Sequence, residues 1–309
     1  MKGDRLAIDD NSILANSKVV AVGGGHGLAV MLKALKGRVG QLSAVVTVAD
    51  DGGSSGRIRR DLGLVPPGDL RMCLSALADP DSALFSSFTY RFSGGDLAGH
   101  SLGNLMLAAL TDLLGGLGPA SLHMGMILRA SGSVFPTAEE PLGLVAETDK
   151  GRLSGQVAIN ASSGIRRVWV EPIEPKVSKE AVQAILEADL IVLGPGSLFT
   201  SVLAACVVPT IRDAINSTSA RRVYVANLRQ QKAETAHLDQ ASQVAKVLEV
   251  VDRIDGLLFD PNHNEVGDLS RVLTSDVRVQ AGSLSGDGGF THDASLLADA
   301  LETFVKNNN

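Results

Sequence analysis

Cysteine is scarce in this sequence, which contains only Cys73 and Cys206, both in apolar surroundings. Two isolated cysteines are typical of buried, reduced thiols in a cytoplasmic protein, and no cysteine and histidine cluster has the spacing of a zinc site. Aromatic residues make up 4% of the chain, and the net charge is −6 without a basic block. These features argue against a nucleic-acid binder, because affinity for the phosphate backbone requires clustered lysine and arginine.

Long apolar runs are missing as well. No stretch of about 18 apolar residues occurs, so no membrane span is expected. Residues 1–17 carry acids and lack the apolar centre of a signal peptide. We therefore expect a cytoplasmic protein with a flexible tail over residues 1–17 and a single domain over residues 18–309.

Glycine, by contrast, is frequent, with 33 residues. A β-branched segment at residues 18–22 leads into a glycine loop and then into a segment of helical composition, and the same order returns after residues 189–193. Alternating strands and helices indicate a parallel sheet. We predict an α/β, Rossmann-like three-layer fold with a mainly parallel sheet. Short β-rich segments separated by turn signals predict a small β-rich insertion at about residues 133–172.

The first glycine loop consists of Gly23, Gly24, Gly25, His26 and Gly27. A loop of this kind before a helix directs backbone N–H groups at an anion, although a plain tight turn explains it nearly as well. His26 either contacts a phosphate, acts as an acid or base, or faces solvent. Neither the G-x-G-x-x-G fingerprint nor the Walker A pattern is completed, which disfavours a nicotinamide cofactor and an ordinary P-loop.

The second glycine loop contains Gly194, Gly196 and Ser197 and again lies between a strand and a helix. Asn227 follows the next strand along the chain and is suited to reading a base or a sugar. Ligands of parallel sheets bind at the carboxyl ends of the strands. The sequence therefore predicts a pocket in which backbone amides of the two loops hold a pyrophosphate.

Asp50 and Asp51 end a second predicted strand, opposite the amides in this arrangement. Adjacent carboxylates repel unless a cation, amide donors or a ligand hydroxyl holds them. They are candidates for holding Mg²⁺ through a substrate phosphate or for binding a ribose, and an Asx turn is the structural alternative. Ser54 and Ser55 either cap the next helix or contact phosphate.

Further polar residues stand at predicted helix starts. Asp69 is a good N-cap for the following helix, and Arg71 just inside it either clamps a phosphate or pairs with a neighbouring residue. His100, Ser101 and Asn104 open an apolar helix, either as caps or with their side chains in the cleft. Another group either lines the same edge of the sheet or forms a turn, and it consists of Asp260, Asn262 and His263.

Several segments in a fixed order resemble the gluconeogenesis-factor family, which shares a superfamily with the 2-phospho-L-lactate transferase CofD. The matching segments are VVAVGGGHGL, VTVADDGGSSGRIR, LVPPGDLRMCLSALAD, LAGHSLGNLMLAAL, SGIRRVWVEP, ADLIVLGPGSLFTSVL and RRVYVANL. They span about residues 19–228. The chain departs from the pattern of many relatives at His26, where threonine is common, and at Met72, where asparagine is common.

The resemblance implies a cytoplasmic bacterial protein that is required for cell shape and cell-wall growth on gluconeogenic carbon sources. It also implies a nucleotide-sugar ligand similar to UDP-N-acetylglucosamine, and a homodimer is possible. The transferase branch implies Mg²⁺, a guanosine diphosphate moiety and a deazaflavin. The residues at the family's shared motifs are Gly23, Gly24, Gly25, Gly27, Asp50, Asp51, Ser54, Ser55, Asp69, His100, Asn104, Gly194, Gly196 and Ser197.

Three functions are therefore compared. The leading hypothesis is a nucleotide-sugar-binding regulator without turnover. The alternative is a Mg²⁺-dependent transferase that resembles 2-phospho-L-lactate transferase and acts on a nucleotide-linked substrate. A nicotinamide oxidoreductase is the weakest hypothesis, because the dinucleotide fingerprint is incomplete.

Overall fold

A seven-stranded parallel sheet forms the centre of the chain. The computed structural model describes residues 12–231, 233–262, 265–286 and 288–306. The strands of this sheet are β1 (Lys18–Gly23), β2 (Gln41–Val46), β3 (Ser133–Pro136), β7 (Leu190–Leu193), β8 (Arg221–Val225), β9 (Gly256–Phe259) and β10 (Arg278–Ala281). Their order in space is β10-β9-β8-β7-β1-β2-β3.

The strand order reverses between β1 and β7. From β1 the chain builds outward through β2 to β3, then returns to add β7 on the other side of β1 and continues outward to β10. Val20 of β1 accordingly pairs with Ser43 on one side and with Ile191 on the other. In a doubly wound sheet, the crevice at the carboxyl ends of the strands beside such a reversal is the usual ligand site.

Helices cover the sheet and explain why its strands are apolar on both faces. They are α1 (Gly25–Leu35), α2 (Gly53–Leu62), α3 (Gly68–Leu77), α4 (Phe85–Thr89), α5 (Leu102–Leu114), α6 (Leu117–Ile127), α7 (Gln156–Asn160), α8 (Lys179–Leu186), a π-helix (Leu198–Leu203), α9 (Ala204–Cys206), α10 (Pro209–Ser217), α11 (Gln240–Leu248), a 3₁₀-helix (Leu269–Arg271) and α12 (Ala294–Lys306).

The core lies between the sheet and these helices. Helix α1 packs against α3 and α12, whereas α10 packs against α8 and α9. Because the connections on the two sides of the reversal run in opposite directions, right-handed crossovers bring these helix groups to opposite faces. All five residues of β1 after Lys18 are buried, as a parallel strand covered on both faces requires. The predicted three-layer α/β fold is confirmed.

A separate three-stranded antiparallel sheet forms the β-rich insertion. It consists of β4 (Gly143–Thr148), β5 (Gly151–Ser154) and β6 (Ile165–Glu171), in the order β5-β4-β6. The insertion was expected to begin at residue 133, but Ser133–Pro136 pairs in parallel with β2 and is the edge strand of the main sheet. Residues 157–159, inside the predicted β-rich insertion, lie in helix α7 rather than in a strand.

The expectation of a loose segment over residues 1–17 does not hold for residues 12–17. Leu14 is buried in the core, and the Ser12 hydroxyl donates a hydrogen bond to Glu302 at 3.0 Å. Residues 1–11 lie outside the described residues. Within the described part of the chain, no single helix has the length and hydropathy to span a bilayer. The segments Leu198–Cys206 and Pro209–Ser217 together have that length and hydropathy, but they are bent by 74° relative to each other.

Candidate functional site

The two glycine loops touch at the reversal of strand order. A methyl group built on Gly27 would overlap the carbonyl oxygen of Pro195 and lie 3.1 Å from Cα of Gly196. One built on Gly196 would lie 3.5 Å from the carbonyl oxygen of Gly24. Glycine is therefore required at position 27, where the loops after β1 and β7 cross. The sequence expectation that both loops share one edge of the sheet agrees with this geometry.

Asp69 lies beneath the first loop. Its Oδ2 accepts a hydrogen bond from the N–H of Gly25 at 2.9 Å, and the side chain is buried. Burial, reinforced by the nearby charge of Asp50, raises the pKa of Asp69 to about 7. Asp69 was expected to be the N-cap of the following helix. It is instead within the first turn of α3, after Pro67 at the N-cap position, and it caps α1 from a neighbouring helix.

Asp50 and Asp51 point to different partners. Asp50 Oδ1 accepts from the N–H of Gly52 at 2.9 Å, and its carboxylate also takes a hydrogen bond from Ser55. Burial is the main reason that the pKa of Asp50 is raised. Asp51 Oδ1 accepts from the N–H of Val157 at 3.0 Å and so ties the main sheet to α7 of the insertion. The Asx turn at Asp50 and the inter-element link at Asp51 account for both residues structurally.

Ser54, His100 and Asn104 form a buried hydrogen-bonded chain. The Ser54 hydroxyl lies 2.9 Å from Nδ1 of His100 and accepts a hydrogen bond from Nδ2 of Asn104 at 3.0 Å. Burial and the charge of Arg57 lower the pKa of His100, so its imidazole is neutral at pH 7. Ser101 is the N-cap of α5 and accepts from the N–H of Asn104 at 3.2 Å.

The second loop is held by side chains from the segment after β8. Asn227 Oδ1 accepts from the N–H of Gly196 at 3.1 Å, and Gln231 Nε2 donates to the hydroxyl of Ser197 at 2.6 Å. Glu234 is fully buried and accepts from the N–H groups of Phe199 at 2.6 Å and Thr200 at 3.0 Å. Burial raises the pKa of the Glu234 carboxyl.

These contacts change the expected role of the loop amides. The N–H of Gly25 is taken by Asp69, that of Gly196 by Asn227, and the first donors of the π-helix by Glu234. The first turn of α1 still presents the N–H groups of His26 and Gly27, which have no intrahelical acceptor. The imidazole of His26 is exposed at the same turn. A pyrophosphate across both loops thus has fewer protein donors than the sequence suggests.

Sequence reasoning missed Glu234 and Gln231, because their partners lie 34 or 35 residues away and the segment has no periodic pattern. The sequence also suggested that Asp260, Asn262 and His263, which follow β9, line the same edge of the sheet as the glycine loops. Asp260 Oδ2 accepts from the N–H of Leu284, and its Oδ1 accepts from Asn262, so this pair organises a turn two strands from the crevice. His263 lies outside the described residues.

The carboxylates offer a limited metal site. Within the described ranges, no group of three or more histidine, cysteine, aspartate or glutamate side chains has the geometry of a metal centre. The charge of Asp50 contributes to the raised pKa of Asp69. Mg²⁺ is commonly held by one or two carboxylates and by substrate phosphates. In such an arrangement, Asp50 would be the protein carboxylate beside the substrate phosphates.

A separate cavity of about 360 Å³ lies between the insertion and the π-helix. Phe199, Leu203, Trp169, Arg167 and Lys246 are among its lining residues. None of the residues proposed from the sequence as ligand contacts lies in this cavity.

The fold and the crevice together define a class: a doubly wound α/β protein with two glycine loops crossing at the reversal of strand order. Residues 19–284 match the family described as 2-phospho-L-lactate transferase CofD, and the chain belongs to that family. It is 43% identical over 230 residues to the gluconeogenesis factor of Bacillus subtilis, which covers 74% of this chain and 73% of that protein.

Two further comparisons cover nearly the whole chain. The gluconeogenesis factor of Listeria monocytogenes is 37% identical over 311 residues, which is 94% of this chain and 96% of that protein. The crystal structure of a member of the UPF0052 family from Bacillus halodurans superimposes with a TM-score of 0.87 at 33% identity, covering 93% of this chain and 98% of that one. The predicted resemblance to the gluconeogenesis-factor group is confirmed.

Proposed function

We propose that this chain is a gluconeogenesis factor that binds a nucleotide sugar similar to UDP-N-acetylglucosamine in the crevice between β1 and β7. The observation that carries the proposal is the direct crossing of the two glycine loops beside the reversal of strand order. That position combines a helix N-terminus, which favours an anion, with polar side chains from α2 and α5.

The proposed pose follows from the donors that remain. The diphosphate lies over the first turn of α1, where the N–H groups of His26 and Gly27 are not engaged within the helix. The nucleoside extends toward Ser197 of the loop after β7 and Asn227 of the segment after β8. The sugar extends toward Ser54, His100 and Asn104, whose polar atoms suit hydroxyl and acetamide groups.

The test is ligand-induced stabilisation of the purified protein. A ligand that binds only the folded state at one hundred times its Kd raises the free energy of unfolding by ~2.7 kcal/mol. We expect UDP-N-acetylglucosamine to raise Tm, and free N-acetylglucosamine at the same concentration to leave it unchanged. An unaltered Tm at millimolar nucleotide sugar contradicts the proposal.

The proposed physiological role is support of cell shape and cell-wall growth on gluconeogenic carbon sources. A strain that lacks the gene is expected to lose normal shape on such sources and to recover when the wild-type gene is returned. In the variant Gly27→Ala the two loops are forced apart. If this variant also restores normal cell shape, the physiological role does not depend on ligand binding between the loops.

A Mg²⁺-dependent transferase is the second candidate, favoured by two carboxyls near the first loop, the half-buried Asp50 and the buried Asp69, whose pKa the charge of Asp50 helps to raise. In this candidate Asp50 and the ligand phosphates hold the metal, which neutralises charge on the transferred group. Incubation with Mg²⁺, nucleotide-linked 2-phospholactate and a deazaflavin acceptor, followed by mass spectrometry, tests it. If the nucleotide binds but no phosphodiester product forms, the transferase hypothesis is excluded and the hypothesis of a binding regulator is retained.

A further inference from the structure

The cavity beside Trp169 has the size of a small-molecule site. Its volume is about 360 Å³, within the range of about 300–1,000 Å³ that is usual for ligand pockets. Residues 166–169 of β6 form one wall, and the other walls come from the π-helix, α10 and the end of α11. Among the described residues that line it, none belongs to either glycine loop. The cavity is therefore distinct from the crevice between β1 and β7.

The apolar part of this lining is aromatic in a chain that has few aromatic residues. They make up 4% of the sequence, yet Phe199 and the single tryptophan, Trp169, both line the cavity. Phe199 and Leu203 are buried, and Trp169 is half-buried. Val207 and Val250 add aliphatic surface. Rings and aliphatic side chains together favour contact with a flat apolar group.

The polar part of the lining is mainly positive. Among the described residues that line the cavity, one is an acid, Glu249, and four are cations. The cations are Arg166, Arg167, Arg212 and Lys246. A concave surface lined by charges of one sign attracts ligands of the opposite sign. The lining therefore matches a ligand that joins an apolar body to an anionic group.

The carboxylates that pair with two of these arginines lie outside the lining. Arg167 pairs with Glu147 at 2.7 Å, and the two side chains are 71% and 40% exposed. Arg166 pairs with Asp149 at 2.8 Å, with both side chains more than 60% exposed. Exposed ion pairs of this kind contribute ~0–1 kcal/mol. An anionic ligand can therefore replace either carboxylate at little cost.

Two lining cations are held in place by contacts of their own. The guanidinium carbon of Arg167 lies 5.6 Å from the centroid of the Trp169 ring, a cation–π distance. Lys246 Nζ donates to the carbonyl oxygen of Arg166 at 2.8 Å and pairs with Glu249 at 2.7 Å. These contacts engage two of the three ammonium donors. Both positive charges are thus positioned for an anion in the cavity.

We propose that the cavity beside Trp169 is a second ligand site, for a small organic anion that has a flat apolar body and one phosphate or carboxylate group. The apolar body packs against Phe199, Leu203 and Trp169, and the anionic group pairs with Arg167 and Lys246. This site is separate from the nucleotide-sugar crevice, and its occupation does not depend on that ligand.

The experiment uses phenyl phosphate as the probe, with phenol and inorganic phosphate as its two halves. Trp169 is the only tryptophan in the chain, so its fluorescence reports on the cavity. We expect phenyl phosphate to change the Trp169 emission. We also expect calorimetry to show that it binds at least ~10-fold more tightly than either half, because apolar and charged contacts are then made together.

Arg152 provides a matched control for Arg167. Its guanidinium carbon lies 5.7 Å from the centroid of the same Trp169 ring, but Arg152 does not line the cavity. We expect Arg167→Gln and, independently, Lys246→Gln to weaken phenyl phosphate binding at least ~10-fold by calorimetry, since each removes a charge-assisted contact. Arg152→Gln should bind the probe as wild-type protein does. An unchanged Tm in each variant shows that the fold is retained.

Several outcomes overturn the proposal. One is an affinity for phenyl phosphate no greater than that for phenol or inorganic phosphate, and another is an unchanged Trp169 emission. Equal weakening in Arg152→Gln and Arg167→Gln is a third, because the probe then lies on the outer surface around the ring. A fourth is a concentration-dependent dimer, seen by light scattering, whose formation alone changes the Trp169 emission, because a second copy then covers the cavity.

Competition separates this site from the crevice. Saturating UDP-N-acetylglucosamine should leave the affinity for phenyl phosphate unchanged, and displacement of the probe would assign the cavity to the nucleotide sugar and overturn a separate site. If the nucleotide sugar binds nowhere on the protein, the proposed function has failed. The comparison of phenyl phosphate with its two halves still decides, in that case, whether the cavity binds an amphipathic anion.

Discussion

At the scale of single residues, Asp69 makes the strongest prediction because it is a buried carboxyl that contacts a helix N-terminus. Its pKa is about 7 in the folded protein against an ordinary value of 3.8. The folded protein therefore binds this proton more tightly than the unfolded chain does. Between about pH 4 and pH 7, the contribution of Asp69 to the free energy of unfolding falls as the pH rises.

Asp69→Asn is expected to remove this pH dependence. Asparagine keeps an oxygen that accepts from Gly25 but has no proton to release. Urea denaturation at a series of pH values should show the wild-type protein losing stability relative to Asp69→Asn by up to ~1.4 kcal/mol per pH unit across that window. Burial lowers the pKa of His292 to about 4, so its contribution to the free energy of unfolding rises with pH. This contribution is the same in the wild-type protein and in Asp69→Asn, and it cancels when their stabilities are compared. If the stability difference between the wild-type protein and Asp69→Asn does not change with pH, the prediction is wrong; Asp112→Asn, at an exposed position, is the matched control.

Gly27 tests the contact between the loops. Its missing side chain admits the carbonyl oxygen of Pro195, so Gly27→Ala must separate the loops. We expect a loss of ~1–3 kcal/mol in the free energy of unfolding, the usual cost of overpacking, together with loss of nucleotide-sugar binding. Gly94→Ala is the matched control because a methyl group there meets no atom within 4 Å. Unchanged binding by Gly27→Ala would show that the loop crossing is not the ligand site.

At the scale of secondary-structure elements, the π-helix after β7 depends on a carboxylate from another segment. Glu234 accepts from two N–H groups at its start. Glu234→Ala leaves both donors buried and unpaired, and we expect it to destabilise the protein by at least ~1–3 kcal/mol. Glu234→Gln keeps an acceptor oxygen and is expected to lose less than half as much.

Chemical denaturation measures both variants, with Glu249→Ala as the control. Glu249 forms a solvent-exposed pair with Lys246 at 2.7 Å, and such a pair contributes no more than ~1 kcal/mol. If Glu234→Ala is as stable as Glu249→Ala, the buried carboxylate does not hold the π-helix.

The elements that sequence reasoning located are those whose signals are local. Ser101 and the glycine loops identify their helices because a cap or a turn is set by neighbouring residues. The contact of Asp51 with Val157 spans 106 residues, and that of Glu234 with Phe199 spans 35. No local pattern encodes such partners. The same limit explains Ser133–Pro136, whose sequence is β-rich but whose choice between two sheets is decided by pairing with β2.

At the scale of the whole molecule, the order of strands determines which distant segments meet. The glycine loop after β1 and the one after β7 are about 170 residues apart in sequence, yet β1 and β7 are hydrogen-bonded neighbours. The alternation of strands and helices in the sequence indicates a parallel sheet, and the reversal between these strands explains why two loops rather than one form the crevice. The insertion adds a second concave surface, the cavity beside Trp169.

Hydrogen exchange with bound ligand distinguishes these two surfaces. If a nucleotide sugar binds at the reversal of strand order, UDP-N-acetylglucosamine should slow amide exchange at the starts of both α1 and the π-helix, because local opening must then release the ligand. Residues 166–169, Lys246, Glu249 and Val250, which line the other cavity, should exchange at unchanged rates. Gly27→Ala with the same ligand provides the control and should lose protection at both loops together. Protection confined to the cavity beside Trp169, or to one loop alone, would mean that the crossing of β1 and β7 does not bind the ligand.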